Sequence, residues 1–492
     1  MLSILLGHSY FLRLDRKQWK RAKPYPPLAT LQVAARLRAL GHRVQFFDAM
    51  LAEGIGEYER KLAALEPRLV ILYEDNYNFL TKMCLRRMRA AACRMIAVAR
   101  HAGARTIVAG SDATDAPDAY LAAGADAVIA GEGIEALQAL LARLEASPSI
   151  GGADLVRGVM GATAHGSERA SGHPGPMRIP PARGELPSPA WDLIDIERYR
   201  AVWHRAHGRF SLNMAASRGC SFRCAWCAKP IWGNHYLQRP AAEVAAEMIR
   251  IKRELAPDHI WFADDIFGFR VDWVREFGAC LAASGGAIPF TIQTRADLIS
   301  ERMAAALREA GCHEAWLGAE SGSQRVLDAM NKGIRVTDVH AARARLGNAG
   351  IRVGFFIQLG YLGEELPDIL ATRELIETAR PDDIGVSVAY PLPGTKFYDL
   401  VSAHLGEKDR WQASGDLAMM FQGTYTSPFY RKLRDLLHEQ VRLSDRHAPG
   451  DRIGTRRSLQ RRWDHLLARQ ERFLTTGSAP PTATASPAVD FA

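Results

Sequence analysis

The sequence has few of the features that mark membrane, secreted or disulfide-stabilised proteins. Its longest apolar runs, such as Leu69–Tyr73, have the length of a strand, whereas a transmembrane helix needs about 20 apolar residues. The first residues carry no basic segment and no small-residue cleavage site, so we expect no signal peptide and a cytoplasmic location. Seven cysteines in 492 residues are too sparse for a disulfide framework, and they indicate metal binding or redox chemistry instead.

The composition is that of an ordinary soluble globular protein. Hydrophobic residues make up 48% of the chain and charged residues 24%, and the length suits about three domains. The net charge of +9 is concentrated near the C-terminus, where residues 431–472 hold twelve Lys and Arg against six Asp and Glu. This surplus indicates either solvated helix faces or a surface for an anionic partner.

Residues 1–150 alternate short apolar runs with helical patterns. This alternation predicts an α/β domain with a doubly wound, Rossmann-like parallel sheet covered by helices on both faces. Helices are expected over Pro27–Leu40 and Phe79–His101. The expected strands are Ser3–Leu6, Val44–Phe47, Leu69–Tyr73, Thr106–Ala109 and Ala127–Ala130. Ligands of such sheets bind in the loops at the carboxyl ends of the strands.

A second α/β region follows a change in composition. Glycines and prolines interrupt residues 151–200, which are expected to be a linker. Six further strand–helix repeats over residues 201–405 predict a partial (β/α)6 barrel. Its expected strands are Phe210–Met214, His259–Phe262, Phe290–Gln293, Ala315–Leu317, Val353–Leu359 and Ile384–Ala389. Residues 406–474 are predicted to be helical and residues 475–492 to be a disordered tail, because Thr, Gly, Ser, Ala and Pro dominate the latter.

The most specific motif is a CxxxCxxC loop formed by Cys220, Cys224 and Cys227, directly after the first predicted barrel strand. Three thiolates can hold three irons of a cubane cluster and leave the fourth iron open to a small molecule. A zinc site with His235 as a fourth ligand is the alternative. The other cysteines are predicted to be buried, inert thiols: Cys84, Cys93, Cys280 and Cys312.

With Trp226 as the aromatic residue before the third cysteine, this loop resembles that of the radical S-adenosylmethionine (radical SAM) superfamily. The resemblance implies that Cys220, Cys224 and Cys227 bind a [4Fe-4S] cluster, and that the amine and carboxylate of S-adenosylmethionine chelate its open iron. One electron from the cluster then cleaves the sulfonium, and the resulting 5′-deoxyadenosyl radical abstracts a hydrogen atom.

Further segments between residues 208 and 400 resemble the family's motifs at the ends of successive barrel strands. The motif after the second strand meets the methionyl amine, the fourth-strand region lies near the ribose and carboxylate, and the last two loops approach the adenosine. The resemblance therefore implies an S-adenosylmethionine site that contains Trp226, Asp264, Asp265, Arg295, Glu320, Ser321, Gly360, Pro393 and Gly394. One departure is Leu362, where the family more often has proline.

Several of these residues also have a purely structural explanation. Asp264 and Asp265 could cap the N-terminus of the next helix. Arg295 and Glu320 could form an ion pair between adjacent barrel strands. Their position at the ends of successive strands, where the chemistry of such barrels takes place, favours the functional interpretation.

The N-terminal domain resembles that of cobalamin-binding radical enzymes. The matching segments are Pro24–Leu28, Gly41–Val44 with Asp48, and Gly131–Gly133. His8 lies in the first loop, where some corrinoid domains carry DxHxxG, but the Asp and Gly of that motif are absent. His8 is therefore a cobalt ligand, a substrate contact or a simple loop residue. The residues expected to face the corrin, or else to cap helices, are Asp75, Asn76, Tyr77, Gly110, Ser111 and Asp112.

The resemblance as a whole implies a cobalamin-dependent radical SAM enzyme that modifies an unactivated carbon of a small biosynthetic substrate, most often by methyl transfer. A low-potential electron donor such as a flavodoxin or ferredoxin is implied, and no nucleic-acid partner is expected. The sequence identifies no catalytic residue beyond the cluster ligands. Histidines and arginines of the C-terminal region would suit an anionic or sugar-like substrate: His438, His447, Arg456, Arg457, Arg461 and Arg462.

Three alternatives stay open. A ring-forming or rearranging enzyme, with or without cobalamin, would carry the same motifs. A methylthiotransferase would have a second cysteine triplet in the N-terminal domain, where only Cys84 and Cys93 occur. A non-catalytic corrinoid or cluster sensor would be expected to lack the motifs on the adenosine side.

Overall fold

A computed structural model describes residues 1–146, 158–161, 187–227, 231–232, 234–444 and 452–475. Most of the predicted linker, and the predicted disordered tail apart from Thr475, lie outside the described residues. The chain divides into two compact units. The first comprises Met1–Ser221, Ala228–Asp265 and Arg410–Asp416, and the second comprises Phe222–Cys227, Ile266–Asp409 and Leu417–Ala492.

The first unit contains a six-stranded sheet in the order β2-β1-β3-β4-β5-β6. Its strands are β1 (Ser3–Gly7), β2 (Arg43–Phe47), β3 (Leu69–Tyr73), β4 (Arg105–Ala109), β5 (Ala127–Ile129) and β6 (Val159–Gly161). Neighbouring strands among the first five are parallel, and β6 is antiparallel to β5. The predicted parallel sheet is therefore confirmed, with an antiparallel edge strand that the sequence analysis did not anticipate.

Helices connect these strands. They are α1 (Arg16–Arg21), α2 (Leu28–Ala39), α3 (Ile55–Leu65), α4 (Phe79–Lys82), α5 (Arg86–His101), α6 (Ser111–Asp115), α7 (Pro117–Ala122) and α8 (Ile134–Ala146). The longer ones, α2, α5 and α8, bury apolar residues. The core includes Leu5, Leu72 and Val108 of the sheet together with Met95 and Ile96 of α5, all almost fully buried.

The single helix predicted over Phe79–His101 is wrong, because the chain breaks between α4 and α5. Cys84 has a φ of +52°, which a helix does not allow. The first amides of α5 donate to main-chain oxygens of a distant segment, Arg86 to Trp411 at 2.9 Å and Arg87 to Gln412 at 3.3 Å. A tertiary contact therefore satisfies the new helix N-terminus, which local sequence patterns do not reveal.

The remainder of the first unit holds the start of the second α/β region. It contains α9 (Ile196–His207), β7 (Ser211–Met214), β8 (Ser217–Gly219), β9 (Tyr236–Gln238), α10 (Ala241–Leu255) and β10 (His259–Phe262). Asp195 begins α9 by accepting hydrogen bonds from the amides of Glu197 and Arg198. Strands β7 and β10 are parallel, and β8 and β9 form a short antiparallel pair.

The second unit continues the strand–helix alternation. Its strands are β11 (Phe290–Thr294), β12 (Cys312–Glu320), β13 (Arg352–Leu359) and β14 (Asp383–Val388), paired in parallel in this order. Its helices are α11 (Val271–Ala283), α12 (Glu301–Glu309), α13 (Gln324–Ala329), α14 (Val336–Asn348), α15 (Leu366–Ala379), α16 (Lys396–Val401), α17 (Ser427–Ser444) and α18 (Arg452–Leu467). Strand β12 is longer than predicted, because β13 pairs with it from Glu314 to Glu320 across polar residues.

Strands β7 and β10–β14 make up one six-stranded parallel sheet, which confirms the predicted partial barrel. The helices α17 and α18 confirm the helical character expected of the C-terminal region from Ser427 onward, but residues 406–426 contain no helix, so the prediction is wrong for that stretch. Among the described residues, no helix is both long and apolar enough to cross a membrane.

Candidate functional site

The segment before the cysteine loop is held in place by Gly219 and Asp264. Gly219 ends β8 at a φ of +74°, and a Cβ there would lie 2.2 Å from the carbonyl oxygen of His235, so only glycine fits. The Asp264 carboxylate accepts the amide of Ala216 at 3.0 Å and the hydroxyl of Ser217 at 2.5 Å. Burial raises the pKa of Asp264 to about 7. Its side chain therefore orients the strand that leads into Cys220.

The rest of the cysteine loop is anchored within the second unit. The amide of Ala225 donates to the carbonyl of Met330 at 2.9 Å, and the amide of Phe397 donates to the carbonyl of Ala225 at 2.9 Å. The side chain of Asn331 donates to the carbonyl of Arg223 at 2.8 Å. Asn331 has a φ of +50°, so a tight turn after α13 delivers these contacts to Arg223 and Ala225.

The positively charged side chain of Arg295 lies beside this loop. Its guanidinium makes two 3.0 Å hydrogen bonds to Asp297 and a 2.7 Å bond to the carbonyl of Lys332. It lies 3.7 Å from the sulfur of Cys224 and 3.7 Å from the ring centroid of Phe222. Arg295 therefore joins the cysteine loop to Asp297 and to the main chain at Lys332.

Glu320 pairs with Lys332 instead of Arg295, so the alternative of an Arg295–Glu320 ion pair is wrong. Lys332 Nζ lies 2.7 Å from Glu320 Oε1, with side chains only 7% and 5% exposed. Burial lowers the pKa of Lys332, but the charges of Glu320 and Cys224 outweigh this and leave it raised. A Cβ at Gly318 would lie 2.6 Å from Lys332 Nζ, so glycine makes room for the pair. The sequence analysis selected Glu320 but did not identify Lys332 as its partner.

The other predicted S-adenosylmethionine contacts occupy separate places in the fold. Ser321 follows β12, and its hydroxyl lies 3.1 Å from that of Thr372. The indole nitrogen of Trp226 is buried and has no hydrogen-bond partner among the described residues. Pro393 and Gly394 lie in the loop between β14 and α16.

Gly360 is another of the predicted contacts, and it is hydrogen-bonded to Glu364, a residue that the sequence analysis did not select. Gly360 follows β13 at a φ of +70°, and its amide donates to Glu364 at 2.5 Å. Glu364 is completely buried, and this burial raises its pKa to about 8. Its carboxyl group therefore holds the loop after β13 and carries a proton at neutral pH.

Asp265 and Asp264 do not cap a helix, since the next helix begins at Val271 with Arg270 as its cap. Asp265 Oδ1 instead lies 2.8 Å from Nζ of Lys82, a lysine whose side chain is 3% exposed. The ammonium of Lys82 is also 4.4 Å from the ring centroid of Trp232. No sequence signal pointed to Lys82.

His8 is enclosed by hydrogen bonds in the first unit. Its Nε2 lies 3.2 Å from Asp48 Oδ1, and its Nδ1 accepts the amide of Tyr10 at 3.3 Å. Asp48 also accepts the hydroxyl of Tyr199 at 2.7 Å. The sequence analysis found no carboxylate to orient His8, whereas the structure provides one just after β2. Both ring nitrogens are engaged, which leaves neither of them open to a metal.

The loops at the carboxyl ends of β3 and β4 contain buried polar groups of two kinds. Asp75 is satisfied, because it accepts the amides of Ala29 and Tyr77 at 3.1 and 3.2 Å. Asn76 is 1% exposed, and its amide group has no geometrically acceptable hydrogen-bond partner among the described residues. Within the same described part of the chain, the hydroxyls of Thr81 and Ser111 are also buried without a partner. Buried polar groups normally bond to protein, water or a ligand, so these three side chains are candidate ligand contacts.

In the C-terminal region, the aromatic residues are core: Trp411, Phe421, Tyr425, Phe429 and Tyr430 are all buried. The arginines are mostly exposed; Arg462 is paired with Glu439, and Arg456 donates to the carbonyl of Leu443. Arg461 lines a groove between α17 and α18. His447 lies outside the described residues.

None of the seven cysteines, all of which are described, forms a disulfide bond. Cys84 and Cys312 are buried as predicted, but Cys93 and Cys280 are partly exposed, so the prediction that all four are buried is wrong for these two. In the part of the chain that the structure describes, no three His, Cys, Asp or Glu side chains already form a metal site. The assignment of a cluster to Cys220, Cys224 and Cys227 therefore rests on their spacing and on the family motif.

Comparison with known proteins addresses the family directly. The Radical SAM superfamily matches residues 214–376. The chain carries a radical SAM domain. This match begins at the end of β7 and includes the cysteine loop, Arg295 and the Glu320–Lys332 pair. The recognition made from the sequence motifs is thereby confirmed.

Relatives and solved structures extend the likeness beyond this domain. An uncharacterized methyltransferase of Pyrococcus horikoshii is 26% identical over 57% of the chain and 58% of its own length, so the chain spans little more than half of that relative. The radical S-adenosylmethionine methyltransferase TsrM from Kitasatospora setae, solved with cobalamin and a [4Fe-4S] cluster, has a TM-score of 0.65 at 17% identity. The structural comparison covers 81% of this chain and 78% of the TsrM chain.

OxsB, a cobalamin-dependent S-adenosylmethionine radical enzyme solved with aqua-cobalamin and S-adenosylmethionine, has a TM-score of 0.66 at 14% identity. The comparison covers 96% of this chain and 71% of OxsB. At such low identity, these likenesses show a shared fold. They confirm the predicted order of a Rossmann-like sheet followed by a radical SAM partial barrel.

Proposed function

We propose that this chain is a cobalamin-dependent radical SAM methyltransferase that acts on an unactivated carbon of a small biosynthetic substrate. The observation that carries the proposal is the CxxxCxxC loop inside the radical SAM domain, with Arg295 beside Cys224. The relative named as a methyltransferase and the fold shared with TsrM and OxsB support it. A ring-forming or rearranging reaction remains the alternative chemistry for the same cofactors.

The residues of the loop fit a [4Fe-4S] cluster. Cys220, Cys224 and Cys227 supply three thiols, which is the donor set that leaves one iron open. When bound, the cluster supplies the electron that cleaves S-adenosylmethionine, and the corrinoid supplies the methyl group. Arg295 contacts the sulfur of Cys224, and the contacts of Ala225 and Asn331 fix the path of the loop.

The residues of the N-terminal sheet fit a corrinoid. Asn76, Thr81 and Ser111 offer buried donors and acceptors that have no partner among the described residues, at the sheet edge where ligands of this fold bind. His8 is not proposed as a cobalt ligand, because Asp48 and Tyr10 occupy its two nitrogens. We therefore assign the corrinoid to residues 1–150 without a protein imidazole, and the radical reaction to residues 201–405.

The remaining parts of the proposal follow from this chemistry. We assign the S-adenosylmethionine site to the residues predicted from the sequence. Most of these residues lie at or just after the ends of successive strands. An acidic low-potential protein such as a flavodoxin or ferredoxin would supply the electron in the cytoplasm. The helices of residues 406–474 would contribute to the substrate pocket.

The test is to purify the chain without oxygen from cells supplied with hydroxocobalamin, and to measure iron and corrinoid per chain. We expect about four irons and one corrinoid per chain. Alanine substitution of Cys220, Cys224 or Cys227 should abolish the iron, whereas Cys280→Ala, the matched control outside the loop, should retain it. Folded protein with an intact cluster but no corrinoid would exclude the methyltransferase, and iron retained by all three variants would exclude the cluster assignment.

A further inference from the structure

Two buried ion pairs in the first unit are joined by one tryptophan. Lys82 Nζ lies 2.8 Å from Asp265 Oδ1, and Arg218 Nη1 lies 2.5 Å from Glu132 Oε1. Trp232 contacts both pairs, because its ring is 4.4 Å from Lys82 Nζ and its indole nitrogen is 3.3 Å from Glu132 Oε1. We call these five side chains, in the order Asp265–Lys82–Trp232–Glu132–Arg218, the charged bridge.

The members of the charged bridge come from loops that the proposed function assigns to different cofactors. Lys82 ends α4 in the connection after β3, where Asn76 and Thr81 have unpartnered polar groups, and Glu132 follows β5. Asp265 lies after β10 in the predicted S-adenosylmethionine motif. Arg218 is on β8, two residues before Cys220. The bridge therefore links the corrinoid side of the N-terminal sheet to both the cluster loop and the S-adenosylmethionine loop.

Three of the four charged side chains of the bridge have little access to water. The exposed fraction of the side chain is 3% for Lys82, 6% for Glu132 and 10% for Arg218, whereas it is 23% for Asp265. Removing one partner of such a pair leaves an uncompensated buried charge, which is costly. Tyr77 packs on Trp232 at 5.4 Å between ring centroids, and the hydroxyl of Tyr73 donates to the carbonyl of Glu132 at 2.6 Å. Moving the loop after β3 or β5 therefore disturbs both ion pairs.

We propose that the charged bridge couples the two cofactor sites, so that corrinoid binding strengthens S-adenosylmethionine binding and the reverse. The inference rests on the proposed function. Lys82 and Glu132 act as positioning residues: a corrinoid that orders the loops after β3 and β5 fixes Lys82 and Glu132, and through them Asp265 and Arg218. Coupling between two binding sites is reciprocal, so both affinities must change by the same factor.

The test uses the full chain with its cluster, in four titrations without oxygen. Hydroxocobalamin is titrated with and without saturating S-adenosylmethionine, and S-adenosylmethionine is titrated with and without saturating hydroxocobalamin. We expect each ligand to tighten the other about tenfold, within the usual range of coupling energies. Lys82→Met should reduce this factor to near one while each ligand alone still binds, and Lys82→Arg should retain most of it. Glu132→Gln provides a second, independent interruption of the bridge.

The matched control is Lys20→Met, a removal of an exposed lysine on α1, which should keep the full coupling factor. A wild-type chain that binds both ligands with no mutual effect would overturn the inference and leave the proposed function standing. Full coupling in both Lys82→Met and Glu132→Gln would also overturn it. A wild-type chain that binds no hydroxocobalamin would instead refute the proposed function. If one of the two variants does not fold, the other still tests whether the bridge carries the coupling.

Discussion

Replacing Lys332 with methionine tests the most deeply buried ion pair near the cysteine loop. Methionine keeps most of the length and apolar volume of the lysine but removes its charge. The hydrogen bond from Arg295 to the carbonyl of residue 332 involves the main chain and should survive. The main effect falls on Glu320, whose carboxylate loses the ammonium 2.7 Å away in a site closed to water.

The expected loss of stability follows from two estimates that agree. Breaking a buried ion pair by removing one partner costs about 3–5 kcal/mol, and no reduction for solvent screening applies because the side chains of Glu320 and Lys332 are only 5% and 7% exposed. Glu320 can limit the cost by taking up a proton. Protonating a glutamate of ordinary pKa at pH 7 costs about 2.7 units at about 1.4 kcal/mol each, or roughly 3–4 kcal/mol. We therefore expect a loss of about 3 kcal/mol or more at pH 7.

The assay is urea unfolding of the full chain without oxygen, followed by circular dichroism at pH 7 and pH 5. The deficit of Lys332→Met should shrink at pH 5, where protonation of Glu320 costs less. The double variant Lys332→Met/Glu320→Gln should recover much of the loss, because it leaves no buried charge. A deficit below about 1 kcal/mol, or a double variant no more stable than the single one, would refute the reasoning.

Three further predictions test other parts of the structure. Gly219→Ala places a Cβ 2.2 Å from the carbonyl of His235, so we expect it to lower the Tm and the iron content, and normal iron content would contradict this. Glu364→Gln mimics the protonated carboxyl group. Since burial raises the pKa of Glu364 to about 8, the free energy of unfolding of the parent falls as pH rises from about 5 to 8, and the variant should become more stable relative to the parent over that range. A difference in stability that stays constant with pH would count against the raised pKa. If the C-terminal charge binds an anionic substrate, neutralising four arginines together should raise KM, and unchanged kinetics would exclude this role. The four are Arg456, Arg457, Arg461 and Arg462.

Strand positions and the cysteine loop were predictable because their signals are local. Short apolar runs placed β3 and β10 at the bounds observed, and the CxxxCxxC spacing singled out the cysteines without any knowledge of the fold. The predicted helix over Phe79–His101 failed for the opposite reason. Its interruption at Cys84 is stabilised by main-chain atoms of Trp411 and Gln412, more than 300 residues away, as shown by the hydrogen bonds of Arg86 and Arg87.

The sequence by itself determined the class of the protein: an α/β chain with a Rossmann-like sheet, a radical SAM partial barrel and one cluster loop. Only the tertiary structure decided which charges meet. It paired Glu320 with Lys332, placed Asp48 against the ring of His8, and brought Lys82 to Asp265, 183 residues away. The physical reason is that periodicity and spacing depend on neighbours in the chain, whereas the partner of a buried charge depends on which loops the sheets bring together.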